Sequence, residues 1–183
     1  MSTALSALTG TYTIDASHTR IGFSARHAMV TKVRGAFNEF SGTAQVDGDD
    51  PSRSSVEVKI ATASIDTRSE QRDGHLRTGD FLDVEKYPEI TFASTAVEQA
   101  SAELFRVTGG LTIKGVTKSV TVDFEFQGAA KDPFGNERIG FEGSTTINRS
   151  DFGVTFNAAL ETGGVLVSEK INLEFEVSAI KNA

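Results

Sequence analysis

Between Val116 and Gln127 the side chains alternate, with Val120, Val122, Phe124 and Phe126 set against Ser119, Thr121, Asp123, Glu125 and Gln127. A period of two belongs to a β-strand with one dry and one wet face; a helix carrying it would spread its apolar side chains around the whole axis. Near the C-terminus, Ile171, Leu173, Phe175 and Val177 alternate in the same way with Lys170, Asn172, Glu174 and Glu176. Strands with one apolar face must bury it against something, and that requirement decides the fold class.

Shorter copies of the pattern recur along the chain. Ile21, Phe23, Ala25 and His27 oppose Arg20, Ser24 and Arg26. Val56, Val58 and Ile60 oppose Glu57 and Lys59, and Ile90 and Phe92 oppose Glu89 and Thr91. Phe105, Val107, Leu111 and Ile113 form another dry face, as do Ile139, Phe141, Thr145 and Ile147. The stretch 33–46 is also strand-like, but its apolar phase slips between Phe37 and Phe40, which predicts a bulge. Turn chemistry separates these runs: Asp47-Gly48-Asp49-Asp50-Pro51, Lys114-Gly115 and Asp132-Pro133-Phe134-Gly135-Asn136. The count is about eight strands joined mostly by short hairpins, and an even number suits a sheet closed on itself, which leaves no exposed edge.

One segment departs from the pattern. Residues 67–87 show no alternation and are rich in helix formers, with Leu76, Phe81, Leu82 and Val84 as an apolar stripe, Gly74 and Gly79 as breaks and Pro88 as the stop. The expectation is an all-β, eight-stranded antiparallel barrel with a short helical insertion lying across one mouth. Residues 1–10 have neither a basic stretch nor a continuous apolar core, so they are expected to be a disordered lead and not an export signal; 11–183 then form one domain that stays in the cytoplasm. No apolar run approaches the roughly 20 residues that span a bilayer as a helix.

Composition narrows the function. The net charge of −7 disfavours nucleic acid and anionic surfaces unless a basic patch overrides it, and the longest basic stretch, Lys32-Val33-Arg34, is too short to track a phosphate backbone. With no cysteine there is no disulfide, thiolate metal site or cysteine nucleophile. Thirteen Phe against two Tyr and no Trp describe either a Phe-rich core or a pocket for a hydrocarbon guest that offers no hydrogen bonds. The inner face mixes large and small residues, Phe23 near Ala25, Phe92 near Ser94 and Phe141 near Gly143. An eight-stranded barrel of that kind is at the size where it is either filled or hollow.

Conventional catalytic signatures are missing. No HxH, HExxH, CxxC or GxSxG occurs, so neither a metal nor a catalytic residue is expected; a site from His27, His75 and Asp66 or Asp73 is the weaker reading. The polar residues Thr62, Ser64 and Asp66 extend the inner face of the strand from Val56, and Arg68, Arg72, His75 and Arg77 follow. A partly cationic rim at one end of an apolar tunnel suits an amphiphile with a polar or phosphorylated head. In Asn148-Arg149-Ser150-Asp151-Phe152-Gly153, Arg149 and Asp151 read as braces of a corner and Gly153 as a turn.

Several motifs occur in a distinctive order: Tyr12-Thr13-Ile14-Asp15, His18-Thr19-Arg20-Ile21-Gly22-Phe23 and Arg26-His27-Ala28-Met29. Then come Gly35-Ala36-Phe37, Phe40-Ser41-Gly42, Ser64-Ile65-Asp66-Thr67, Arg72-Asp73-Gly74-His75-Leu76 and Asp80-Phe81-Leu82-Asp83. Tyr87-Pro88-Glu89-Ile90-Thr91-Phe92, the run 110–118 and Arg149-Ser150-Asp151-Phe152-Gly153 complete the series. Together they resemble the YceI-like family of lipocalin-type proteins over nearly the whole chain from Tyr12. The resemblance implies a lipocalin-like barrel that holds a polyisoprenoid or similar long-chain lipid, and a tendency to form homodimers. The expected function is non-enzymatic carriage or sequestration of an isoprenoid lipid of polyprenyl phosphate or quinone type, with no cofactor. Phe23, Phe37, Phe92, Phe124, Phe141 and Phe175 would line the tunnel, with His27, Asp66 and His75 at its polar mouth. The rivals are an enzyme acting on such a lipid through His27 or His75, and a filled barrel serving as a stress-related interaction module.

Overall fold

The computed structural model describes residues 4–161 and 164–182. In chain order the strands are β1 (Gly10–Ile14), β2 (Arg20–His27), β3 (Thr31–Phe37), β4 (Phe40–Val46), β5 (Ser55–Ala61) and β6 (Ile65–Asp66), followed by a helix, α1 (Glu70–Leu76). The chain then continues through β7 (Glu89–Gln99), β8 (Leu104–Ile113), β9 (Val116–Lys131), β10 (Glu137–Asn148) and β11 (Lys170–Lys181). All pairings are antiparallel, in the order β1-β4-β5-β7-β8-β9-β10-β11, and β1 returns to pair with β11. The ring is therefore an eight-stranded closed barrel. β2, β3 and β6 are the outer halves of interrupted strands: β2 extends β1 beyond the turn Ala16–His18, β3 leads into β4, and β6 follows β5 beyond the turn Thr62–Ser64.

The phase slip between Phe37 and Phe40 is a break and not a bulge. Asn38 and Glu39 leave the ladder, the Asn38 backbone N–H donates to Ser64 O (3.2 Å) and its side-chain amide to Asp66 Oδ2 (3.0 Å). Register shifts fall instead at Thr95 in β7 and at Gln127 in β9. Lys114 and Gly115 both take left-handed backbone angles (φ 52° and 77°), the pair that a two-residue hairpin turn of matching twist requires.

Between residues 67 and 87 only α1 is helical. Ser69 caps it by accepting the Arg72 N–H, and buried Asp73 accepts both the N–H and the hydroxyl of Thr67, anchoring the helix to the end of β6. Phe81 is buried, with Leu76 and Leu82 packed beside it on Ile60, Ile90, Leu111 and Ile147, so the insertion lies across one mouth. Residues 28–30, 114–115, 149–161 and 164–169 lie in connections at this same end, where Lys114 reaches Gly79 O and Gly153 O and the Ala28 N–H donates to Leu166 O.

The N-terminal lead is ordered from residue 4; residues 1–3 lie outside the described residues. Leu5–Leu8 form a single 3-10 turn, and Gly10 already belongs to β1. Leu8 is buried with Tyr12, Ile139 and Ala179, and the Tyr12 hydroxyl donates to Leu8 O (2.8 Å). The apolar residues Leu5 and Leu8, three apart, give this turn a face to bury, which outweighs its lack of other signals. Ser24 also departs from expectation: it stands on the face predicted to be wet, yet is 1 % exposed with its hydroxyl unpaired, flanked in register by the longer Arg34 and Asn172.

Closure at the end remote from α1 is braced by charge. Arg138 donates through Nη1 to Asp15 (2.7 Å) and through Nε to Asp132 (2.7 Å), all three side chains being mostly buried. The Arg138 guanidinium, with Ser17 and His18, holds the Asp15 carboxyl well below the usual carboxylate range. Burial pushes Asp132 up, but donation from Arg138, Asn136 and Phe134 outweighs it and leaves the group at about 2. Carboxylates depressed by folding stabilise the barrel fully above their unfolded values and lose that contribution as pH falls through the folded ones. The melting temperature should therefore drop from about pH 4 to about pH 2. Arg138→Gln should flatten that acid limb relative to the wild type in thermal melts; an unchanged slope would remove the brace from the account.

Candidate functional site

The inward faces of the strands surround a cavity of about 740 Å³ that runs from α1 to the N-terminal turn. That volume lies within the roughly 300–1,000 Å³ of ligand cavities, far above a packing defect. The barrel is hollow because its phenylalanines lie along the wall. Phe23 is opposite Gly35 in the ladder, and a Cβ on Gly35 would come within 2.5 Å of the ring. Phe92 leans over Gly109 (2.6 Å) and Phe124 over Gly143 (2.7 Å) in the same manner. Gly143 stands between Phe124 and Phe175 in register, so those rings meet over it with centroids 5.9 Å apart. Glycines on the neighbouring strand thus give these rings room to lie along the wall.

Every phenylalanine expected in the tunnel, Phe23, Phe37, Phe92, Phe124, Phe141 and Phe175, lines the cavity. Phe141 contacts both Phe105 and Phe126, and Phe23 is 5.6 Å from Phe37. The wall is largely hydrocarbon through its middle; at the α1 end Thr67, Ser69, Gln71, Arg72 and His75 line it together with Arg26, His27 and Arg149, and at the remote end Gln45, Asp47, Ser54 and Ser55 do so.

His27 and His75 thus stand at the mouth as expected, but Asp66 does not. The turn Thr62–Ser64 resets the alternation, so Ile65 and Thr67 face the cavity while Asp66 is exposed and accepts from Asn38 and the Arg68 N–H. Thr62 is buried outside the cavity lining, with its hydroxyl unpaired. Of the expected cationic rim, Arg72 reaches the cavity and is held by Thr67, through Nε to the hydroxyl and Nη2 to the carbonyl (both 2.7 Å). Arg77 is a tether on the carbonyls of Ala63 and Ile65. His75 stacks edge-on against Phe81 and Phe156 (centroids 5.1 Å each) and bonds Asp80 through Nε2 at 2.8 Å. These rings form an aromatic collar at the mouth.

Arg149 does brace its corner: its guanidinium donates to the carbonyls of Ser168, Val154 and Val167, and Gly153 takes the left-handed turn (φ 75°). It is also 5 % exposed, lines the cavity and has no carboxylate within ion-pair distance among the described residues. Burial pulls its pKa down, with Glu169 opposing. Sequence reasoning found the brace but not the buried cation. Phe156, Leu5 and Leu8 were missed as wall residues because they lie outside any alternating run. Among the described residues, no three His, Asp or Glu side chains gather closely enough to hold a metal ion, and no helix is long and apolar enough to cross a membrane.

Residues 12–179 match the YceI-like domain. The chain belongs to the YceI-like family. A UPF0312 protein of Staphylococcus aureus (strain MSSA476) is 39 % identical over 169 residues, covering 92 % of this chain and 95 % of that protein. Among solved structures, BcnA of Burkholderia cenocepacia superposes with a TM-score of 0.79 at 25 % identity, covering 90 % of this chain and 98 % of BcnA. The YceI protein of Campylobacter jejuni gives 0.75 at 34 % identity, with 86 % and 90 % covered. A polyisoprenoid binding domain from Saccharophagus degradans shares the fold, with a TM-score of 0.71 at 16 % identity over 93 % of this chain and 98 % of that one.

The ring-over-glycine arrangement of this YceI-like barrel is open to mutation. Gly35→Ala should force the Phe23 ring inward and cost about 1–3 kcal/mol in urea unfolding. Phe23→Leu in the same chain should recover part of that loss, whereas additive losses would show that the two positions are independent.

Proposed function

We propose that the barrel carries or sequesters a long-chain isoprenoid lipid, of polyprenyl phosphate or quinone type, without transforming it. The observation that carries this reading is a cavity of about 740 Å³ with a largely apolar middle and its cationic side chains, Arg26, Arg72 and Arg149, gathered at the α1 end. A hydrocarbon chain in the middle meets only aliphatic and aromatic side chains, while a polar head at the α1 end meets Arg72, His75 and the buried Arg149. Arg149 has no carboxylate in ion-pair contact among the described residues, Glu169 acting on it only from further away, and an anionic head would supply that contact. Each isoprene unit moved from water into such a wall contributes on the order of 3 kcal/mol, so retention needs no covalent bond. The fold shared with the polyisoprenoid binding domain of Saccharophagus degradans supports the same ligand class.

Binding without catalysis suits the polar end. His75 is engaged by Asp80 through Nε2 and packed against two rings, which commits that nitrogen to the mouth's own framework.

Native mass spectrometry of the purified protein should show an adduct that organic extraction removes and that is identified as a polyprenyl phosphate or prenylquinone. Val122 lies in the wall at 4 % exposure, so Val122→Trp should fill the lumen and reduce retained lipid by about tenfold or more while the barrel still folds. A wild-type protein that is empty and takes up no isoprenoid from solution would exclude this function.

A further inference from the structure

The turn between β2 and β3 holds apolar side chains out in water. Met29 is 62 % and Val30 79 % exposed, and Val165, 41 % exposed, is next to Gly164, over which the Met29 thioether packs. The turn is firmly held, with the Ala28 N–H donating to Leu166 O (2.7 Å) and the Val30 N–H to His27 O (3.1 Å). Ala28 and Met29 adopt left-handed angles (φ 51° and 62°), a conformation that Gly, Asn or Asp takes more readily. An apolar tip is thus presented at some backbone cost beside the polar end of the cavity.

The linear sequence shows only two basic residues close together here, Lys32 and Arg34, but pairing across the hairpin enlarges the patch. Arg26 stands opposite Lys32, and Arg34 lies two positions further along. None of the three forms an ion pair among the described residues. They alternate with Ala25, His27 and Val33, which line the cavity, and Arg26 also reaches its edge. One hairpin therefore combines an inner face continuous with the lumen, a basic rim and outer face, and an apolar tip.

We propose that this hairpin docks the α1 end of the barrel onto a bilayer containing anionic lipid. The proposal rests on the lipid-carrier reading, because a water-insoluble ligand must leave one bilayer and enter another. Met29 and Val30 enter the acyl boundary, and Arg26, Lys32 and Arg34 lie at the level of the phosphates. Because the chain as a whole carries a net charge of −7, the rest of the surface is repelled, which orients the mouth toward the lipid. Phe134, 88 % exposed in the β9–β10 turn at the opposite end, serves as an internal control.

The test is flotation with phosphatidylcholine vesicles with and without phosphatidylglycerol, together with the rate at which bound lipid passes to acceptor vesicles. The wild type should bind only the anionic vesicles. The double variant M29S/V30S and the charge reversal K32E/R34E should each reduce binding and transfer by about tenfold, while F134S changes neither. Native mass spectrometry should find the same lipid content in all of them. If the tip variants retain their lipid yet bind and release at wild-type rates, docking is overturned and the carrier reading stands. If the wild type holds no lipid but flotation still depends on the tip, docking stands and the carrier reading fails. Loss of a dimer in sedimentation by M29S/V30S, with flotation unchanged, would assign the tip to a contact between two copies of the chain and overturn docking.

Discussion

The whole architecture depends on a narrow seam. A sheet of antiparallel strands has two edges, and here they meet where β1 pairs with β4 on one side and β11 on the other, through only three residue pairs to β11, Tyr12 to Lys181, Thr13 to Ile180 and Ile14 to Ala179. Without that closure the apolar inner face would be open to water along its full length. The seam is short because β11 shares its flank between β1 and β2, which are separated by the turn Ala16–His18. Charge compensates for the missing ladder: Asp15 sits in that gap, takes the guanidinium of Arg138 from β10, and donates its own N–H to Ser178 O of β11 at 2.8 Å. Three strands are thus tied at the point where main-chain pairing lapses.

Much of the barrel was legible in the sequence because each strand has one wet and one dry side, so composition and geometry repeat in step. Val120, Val122, Phe124 and Phe126 all face the lumen, as do Ile171, Leu173, Phe175 and Val177. Errors arose where the step was broken. Asp66 was assigned to the mouth by counting on from Val56, and a single 3-10 turn between the two inverts the count. The turn at Leu5–Leu8 escaped because four residues carry no period at all.

Other features were illegible for a different reason: they belong to no single strand. Whether the barrel is filled or hollow depends on Gly35, Gly109 and Gly143 lying beside rings contributed by other strands, a relation set by register and invisible along one run of residues. The cationic character of the β2–β3 hairpin is likewise a product of pairing, since Arg26 and Lys32 are six positions apart in the chain and face to face in the sheet. The expected family resemblance supplied the hollow interior that alternation alone left open, and the cavity agrees with it.

The two ends of the tube are built from different material. At the α1 end the rim is made of four connections that hydrogen-bond one another, Lys114 to Gly79 O and Gly153 O and Ala28 N–H to Leu166 O among them. At the remote end Leu5 and Leu8 contribute to the wall from a turn outside the sheet, held by the Tyr12 phenol and by the Gly48 N–H on the Thr9 hydroxyl. The depth of the cavity can therefore be reset through a handful of N-terminal residues while the α1 rim and the hydrogen-bonded framework stay as they are. Barrels of one topology can in that way be graded to guests of different length.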